Sequence, residues 1–257
     1  MIQMNMTARF TLTIILILAM TSCAEIQRYE IRRTVKDNQF SSTFPDLKVK
    51  IDPQLSYLGS AERTAEDTSV HPNSSDLQDS TVSYLFGQLD PNGVLQKGTL
   101  IRLVVIRGDP SKAHDELSGR QVKSPLDSGS VRILDDEYDY LLYACQDMFT
   151  EKEAGILPGG SIASCYLIKL LEKRVGLGNK SLVQVFYFED ATFQCSNIPC
   201  DACLQGSDAR PWEEQFLSGF VERSYHAISF MEPKKMVDET SKYVKPKDSK
   251  KEPADVI

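Results

Sequence analysis

Histidine is scarce in this chain, with three in 257 residues, at positions 71, 114 and 226. No two of them stand at a spacing that would put two imidazoles on one face of a helix, which excludes the H-E-x-x-H class of metal site. A surplus of positive charge is also missing. Lys and Arg total 29 against 36 Asp and Glu, for a net charge of -7, and no concentrated basic face can be drawn, so a nucleic-acid partner is not expected. Repeats at solenoid periods are lacking, as is any apolar run after the first twenty or so residues that could span a bilayer. The phosphate-binding loop is missing too: "LPGGSIAS" around Gly159 and Gly160 has neither its lysine nor its spacing, and Ser161 sits in no G-x-S-x-G elbow. That stretch reads as a turn. What is present, 41% hydrophobic and 25% charged residues, is ordinary globular composition with enough apolar material for a sizeable core.

The N-terminal stretch has three parts. A polar start, "MIQMNMTAR", carries one positive side chain at Arg9; an apolar run follows from Phe10 to Met20; small residues stand at Thr21 and Ser22. This is the layout of a secretory signal peptide, and the run is about half the roughly 20 residues a spanning helix needs. The run ends in "AMTSC" at Cys23, which resembles the lipobox of bacterial lipoproteins. Thr21 and Ser22 fit its small-residue positions, and Met20 stands where that family usually has leucine. The resemblance implies removal of a signal peptide over residues 1–22 and lipidation of Cys23, hence a partner in the membrane and a location in the bacterial cell envelope. Ala24, in place of the aspartate of the inner-membrane retention pattern, points to the outer membrane. Two other readings stay open: cleavage after Ala24 by the ordinary signal peptidase, and an uncleaved anchor with a buried cysteine.

Residues 23–43 are polar and mixed in charge, without a clear period, and read as a lipid-anchored tether. From Glu232 the chain is rich in Lys, Asp, Glu and Pro, with seven lysines against six acids. Such a segment cannot bury enough surface to offset its ordering entropy, so 232–257 is expected to be a solvated tail. A single domain is expected over 44–231. Within it "LKVKI" (47–51) alternates like a strand with one wet face. "VSYLFGQ" and "GTLIRLVVIRG" flank "LDPNGVLQK", a hairpin with a longer loop. Leu100–Ile106 and Ser181–Asp190 suit central strands, and "YLIKLLEKRVGLGNK" suits a strand leading into a turn. The acidic cluster Asp135, Asp136, Glu137 and Asp139 lacks the spaced Asp and Gly pattern of a calcium loop and reads as a solvated turn. One helix is clear: Phe216, Leu217, Phe220, Val221, Ser224 and Ala227 recur at three- and four-residue steps behind Pro211, Glu213 and Glu214. Trp212, in its first turn, reads as a packing residue.

Five cysteines remain besides Cys23: Cys145, Cys165, Cys195, Cys200 and Cys203. In an exported protein they are candidates for disulfides, with one left over and the connectivity open. "CSNIPCDAC" (195–203) allows three readings. As a staple it is a loop pinned by disulfides. As a redox motif, Cys200 and Cys203 have the C-x-x-C spacing in which one thiolate attacks a disulfide and the second resolves the intermediate. The thioredoxin pattern then requires flanking residues and a later strand that are missing here. As a metal site the three cysteines need a fourth ligand such as His226, a spacing unlike the paired knuckles of zinc ribbons. Haem attachment is excluded, because Leu204 follows Cys203 where histidine is needed.

These observations predict an α+β fold, mostly antiparallel sheet with a packed C-terminal helix. The functional expectation is a non-catalytic envelope lipoprotein, without cofactor, acting as a binding or assembly module for a protein or envelope partner. The alternatives are a periplasmic thiol-disulfide oxidoreductase using Cys200 and Cys203, and a small-ligand or metal binder.

Overall fold

Strand-forming runs dominate the chain and pair with their sequence neighbours. The computed structural model describes residues 31–63, 80–106, 125–146, 148–157, 159, 161–193 and 211–232. Within them lie strands β1 (Arg33–Lys36), β2 (Gln39–Thr43), β3 (Asp46–Ile51), β4 (Ser56–Arg63), β5 (Ser80–Leu89), β6 (Leu95–Val105), β7 (Asp127–Ile133) and β8 (Asp136–Cys145). These are followed by the short helix α1 (Glu151–Ala154), β9 (Tyr166–Val175), β10 (Ser181–Asp190), helix α2 (Pro211–Ala227) and β11 (Ile228–Phe230). Every pair of these strands is antiparallel, and one isolated parallel bridge joins Leu95 to Ile162. A four-stranded sheet has the order β1-β2-β3-β11, and a seven-stranded sheet the order β4-β5-β6-β10-β9-β8-β7. The fold is therefore mostly antiparallel sheet with few helices, one of them near the C-terminus, and is richer in strand than an α+β label implies.

The seven-stranded sheet buries both faces, which is why its central strands are apolar nearly throughout. Along β10, Val183, Val185 and Tyr187 join one core and Phe186 and Phe188 the other, as the two-residue period of a strand requires. The first face packs against the four-stranded sheet through Phe40, Leu47, Val49 and Ile51 and against α2 through Phe220 and Ala227. The predicted helical stripe is the buried one, with Phe220, Ser224 and Ala227 at most 4% exposed. The second face carries Leu85, Leu100, Tyr166, Ile168, Phe186 and Phe188 and is covered by chain between β8 and β9, including Met148 and Leu157.

Two boundaries differ from the sequence reading. Residues 33–43, read as tether, form β1 and β2, joined by a turn with Asp37 and Asn38 both at positive φ. The Asn38 amide anchors that turn by donating to the carbonyls of Asp52 and Leu55 at 3.1 and 2.7 Å. Phe40 is fully buried. The tight turn, the deep Phe40 ring and the partly buried Val35 hold a segment otherwise made of polar residues. The loop before β6 is also shorter than expected. Asp90 Oδ1 accepts from the backbone N–H groups of Asn92 and Val94, both at 2.8 Å, and this turn delivers the chain into β6 at Leu95. The predicted 1–22 signal peptide, the tail beyond residue 232, Cys23 and Cys195, Cys200 and Cys203 lie outside the described residues. Among the described residues, no helix is long and apolar enough to cross a membrane.

Candidate functional site

The cysteines within the described residues sit at one end of β8 and β9. Cys145 is opposite Tyr166, so Cys165, one residue earlier on the partner strand, projects to the other face. Cys145 packs with the second-face core and Cys165 belongs to the first. Side chains on opposite faces cannot satisfy disulfide geometry, so these two do not bridge each other. Cys165, 2% exposed, is disulfide-bonded, while Cys145 carries a thiol. The Ala191 N–H donates to the Cys165 carbonyl at 2.9 Å, which places the end of β10, four residues before Cys195, beside Cys165.

Next to this end lies an open pocket of about 270 Å³ lined by Gln146, Phe149, Ile162, Ala163 and Ser164. Its surroundings are tied together by hydrogen bonds and ring contacts. Tyr166 donates its hydroxyl to the Leu95 carbonyl at 2.9 Å and accepts from the Ala163 N–H at 2.9 Å. Phe149, Tyr166 and Phe188 pack edge to face at centroid distances of 5.2 to 5.7 Å. The Ser164 and Thr192 hydroxyls meet at 3.2 Å. Among the described residues no charged side chain lines the pocket, whose walls mix apolar side chains with the Gln146 amide and the Ser164 hydroxyl.

Charged groups inside the molecule are concentrated in two places. On the second face Glu153, 1% exposed, follows the N-cap Thr150 in a capping box that holds α1. Arg102 of β6 clamps its carboxylate through Nε and Nη2, both at 2.6 Å; Ser83 Oγ donates at 2.6 Å and the Thr150 N–H at 2.9 Å. Arg102 also donates to the Met148 carbonyl at 2.7 Å and lies over the Phe186 ring. Burial opposes ionisation of Glu153, but the Arg102 hydrogen bonds and charge outweigh it and hold the carboxyl below its usual range. This cluster fastens α1 and the chain around it to the sheet.

On the first face α2 is pinned by Arg223, which donates from Nε and Nη2 to the two Glu189 oxygens at 2.7 Å each. Glu189 also accepts from the Tyr187 hydroxyl; burial, together with that carboxylate, pushes the phenol above its usual range. Lys169 of β9 is different. It is 7% exposed, donates to Ser224 Oγ at 3.1 Å, and holds Nζ 3.3 Å from the centroid of the Tyr225 ring. Among the described residues no carboxylate contacts it directly. Burial pulls the ammonium down to about 8, with the more distant Asp127 charge opposing the shift. Sequence reasoning missed Lys169, although a lysine in the middle of "LIKLL" was the available signal.

The remaining predicted residues do not converge. His226 is exposed on α2, while His71 and His114 lie outside the described residues. Asp135 stands in the β7–β8 turn and Asp136 forms an ion pair with Lys173. Among the described residues, no group of three or more His, Cys, Asp or Glu is placed to hold a metal. Comparison with protein-family models, with curated proteins and with solved structures finds no match.

Proposed function

We propose that this chain is a lipid-anchored lipoprotein of a bacterial cell envelope, on the outer membrane, whose β-body binds a protein or envelope partner without catalysis. The observation that carries the reading is the short apolar run ending in "AMTSC" at Cys23. A second observation supports the non-catalytic part. The buried pair Arg102–Glu153 and the pair of exposed Arg223 with buried Glu189 are spent on fastening α1 and α2 to the sheet. The staple reading of the cysteines belongs to the same proposal, with Cys165 bridged to one of Cys195, Cys200 and Cys203 and the loop thereby tied to the end of β10. The oxidoreductase reading rests on the Cys200 and Cys203 spacing alone.

Palmitate labelling in a bacterial host tests the anchor. The wild type is expected to take up label and fractionate with membranes, and Cys23→Ser to remain an unlabelled precursor. Normal processing of Cys23→Ser, with label in neither form, would reject the lipoprotein reading in favour of ordinary secretion. The purified protein is expected not to accelerate insulin reduction. Turnover that disappears in Cys200→Ala would put the oxidoreductase first.

A further inference from the structure

We propose that the end of the β-body carrying Ile31, Phe44 and Leu134 is a membrane-contacting surface, seated on the bilayer that holds the lipid of Cys23; this rests on the lipoprotein reading. The three side chains are 49%, 42% and 48% exposed and come from separate segments that the fold brings to one end. Arg32, next to Ile31, exchanges hydrogen bonds with Thr43, next to Phe44: Thr43 N–H to the Arg32 carbonyl at 3.0 Å, and Arg32 N–H to Thr43 Oγ1 at 2.9 Å. The Phe44 ring lies against the turn between β9 and β10, where a Cβ on Gly176 would stand 3.3 Å from it. The start of β8 runs beside the end of β9, tied by the Lys173–Asp136 ion pair, which sets the Leu134 turn next to the Gly176 turn. Leu134 adopts φ 57°, a conformation that favours Gly or Asn, and there it presents a large apolar side chain to solvent.

Exposed aromatic residues also occur at the opposite end, where Phe193 is 90% and Tyr57 41% exposed. The tether decides between the ends. Only residues 24–30 separate Cys23 from Ile31, a span of at most about 29 Å when fully extended. The strands between the two ends, such as the ten residues of β9, span about 30 Å. A cysteine held at the bilayer surface would let Phe193 rest on that surface only with the tether stretched to its full length, at the greatest cost in chain entropy. With Ile31 downward the tether is slack and the apolar side chains meet the headgroup boundary, where such residues bury to a depth of about 5–10 Å. The charges at this end are mixed, with exposed Arg32 and Lys180 beside exposed Asp46 and Asp135. The contact is therefore apolar in character and calls for little anionic lipid.

The test uses the full chain, processed in a bacterial host and reconstituted into phosphatidylethanolamine and phosphatidylglycerol vesicles with plain or brominated acyl chains. In a Trp212→Phe background, Phe44→Trp is expected to lose emission about two-fold in brominated vesicles, and Phe193→Trp to be unchanged. Hydrogen exchange of the wild type gives a second readout that needs no substitution. The amides around Ile31 and Leu134 should slow on vesicles and those around Phe193 should not. Acylated protein whose residue 44 is unquenched and whose amides are unchanged would overturn the surface while leaving the anchor standing. Protein whose mass shows no acyl chain would overturn both, and the mass distinguishes the two failures. Full quenching at the same molar fraction of neutral phosphatidylcholine is expected; a strict need for phosphatidylglycerol would overturn the apolar basis.

Discussion

The two faces of the seven-stranded sheet bury charge in opposite ways. On the second face Glu153 is nearly inaccessible, yet its carboxylate meets a bidentate guanidinium, a hydroxyl and a backbone N–H, and it stays ionised. On the first face Lys169 is about as well buried but meets one hydroxyl and one aromatic ring, and its affinity for the proton falls. Depth is similar, so the donors and acceptors within reach decide the outcome. Solvation by the protein must replace solvation by water group for group, or the charge is given up. The same contrast separates fastening from tolerance. The clamp in which Arg102 grips Glu153 holds the cover of one face in place, whereas Lys169 is a cost that the packing of α2 absorbs.

The largest effect should come from removing one partner of the satisfied pair. Arg102→Ala leaves the Glu153 carboxylate buried and uncompensated, and chemical denaturation should show a loss of about 3–5 kcal/mol. A loss below about 1 kcal/mol would mean that the cover of the second face is held by apolar packing alone. Because the Glu153 carboxyl is held below its usual range, its contribution is complete above the unfolded-state value and disappears as pH falls through the folded one. Acid should therefore erase the difference between wild type and Arg102→Ala.

A smaller effect, of opposite sign, is expected on the first face. Lys169→Met should raise stability at pH 7 by about 1 kcal/mol, since an uncompensated buried ammonium is exchanged for an apolar chain of similar length. The pH profile sharpens this. The unfolded lysine keeps its proton up to its ordinary value of 10.5 while the folded one sheds it at about 8. Between these values the unfolded state binds more protons, so this group makes the wild type gain stability as pH rises. The gap between wild type and Lys169→Met should accordingly narrow from pH 8 upward. A gap that is constant across that range would show that Lys169 is solvated in the folded protein. The smallest effect is expected from deleting the chain after Met236, which should move the melting temperature by only a few degrees, because that segment has almost no apolar surface to bury. A drop of ten degrees or more would mean that the tail covers part of the body.

The central strands were legible in the sequence because burial on both faces leaves nearly continuous apolar runs, as in β6 and β10. The helix α2 was legible from its three- and four-residue stripe. β1 and β2 were not, since "RTVK" and "QFSST" contain two large apolar residues between them and their inward Ser42 is satisfied locally, its hydroxyl donating to the Phe44 carbonyl at 3.0 Å. The edge strand β7, "DSGSVRI", was hidden for a similar reason, being exposed along most of its length. The capping pattern Thr150-x-x-Glu153 was present in the sequence, but Gly155 ends α1 after four residues, too short a run to show a period. Nothing local in "YLIKLLEKRV" indicates that Lys169 lies beneath a tyrosine from α2, because that contact spans 56 residues of chain. The opposite faces of Cys145 and Cys165 follow from strand register, which no cysteine count contains.

The account turns on the fate of Cys23, and intact-mass and peptide mass spectrometry of the mature protein from a bacterial host reads it directly. The N-terminal peptide is expected to begin at Cys23 and to carry the added mass of acyl chains. An unmodified peptide beginning at Glu25, or one that retains the residues before Cys23, would contradict it.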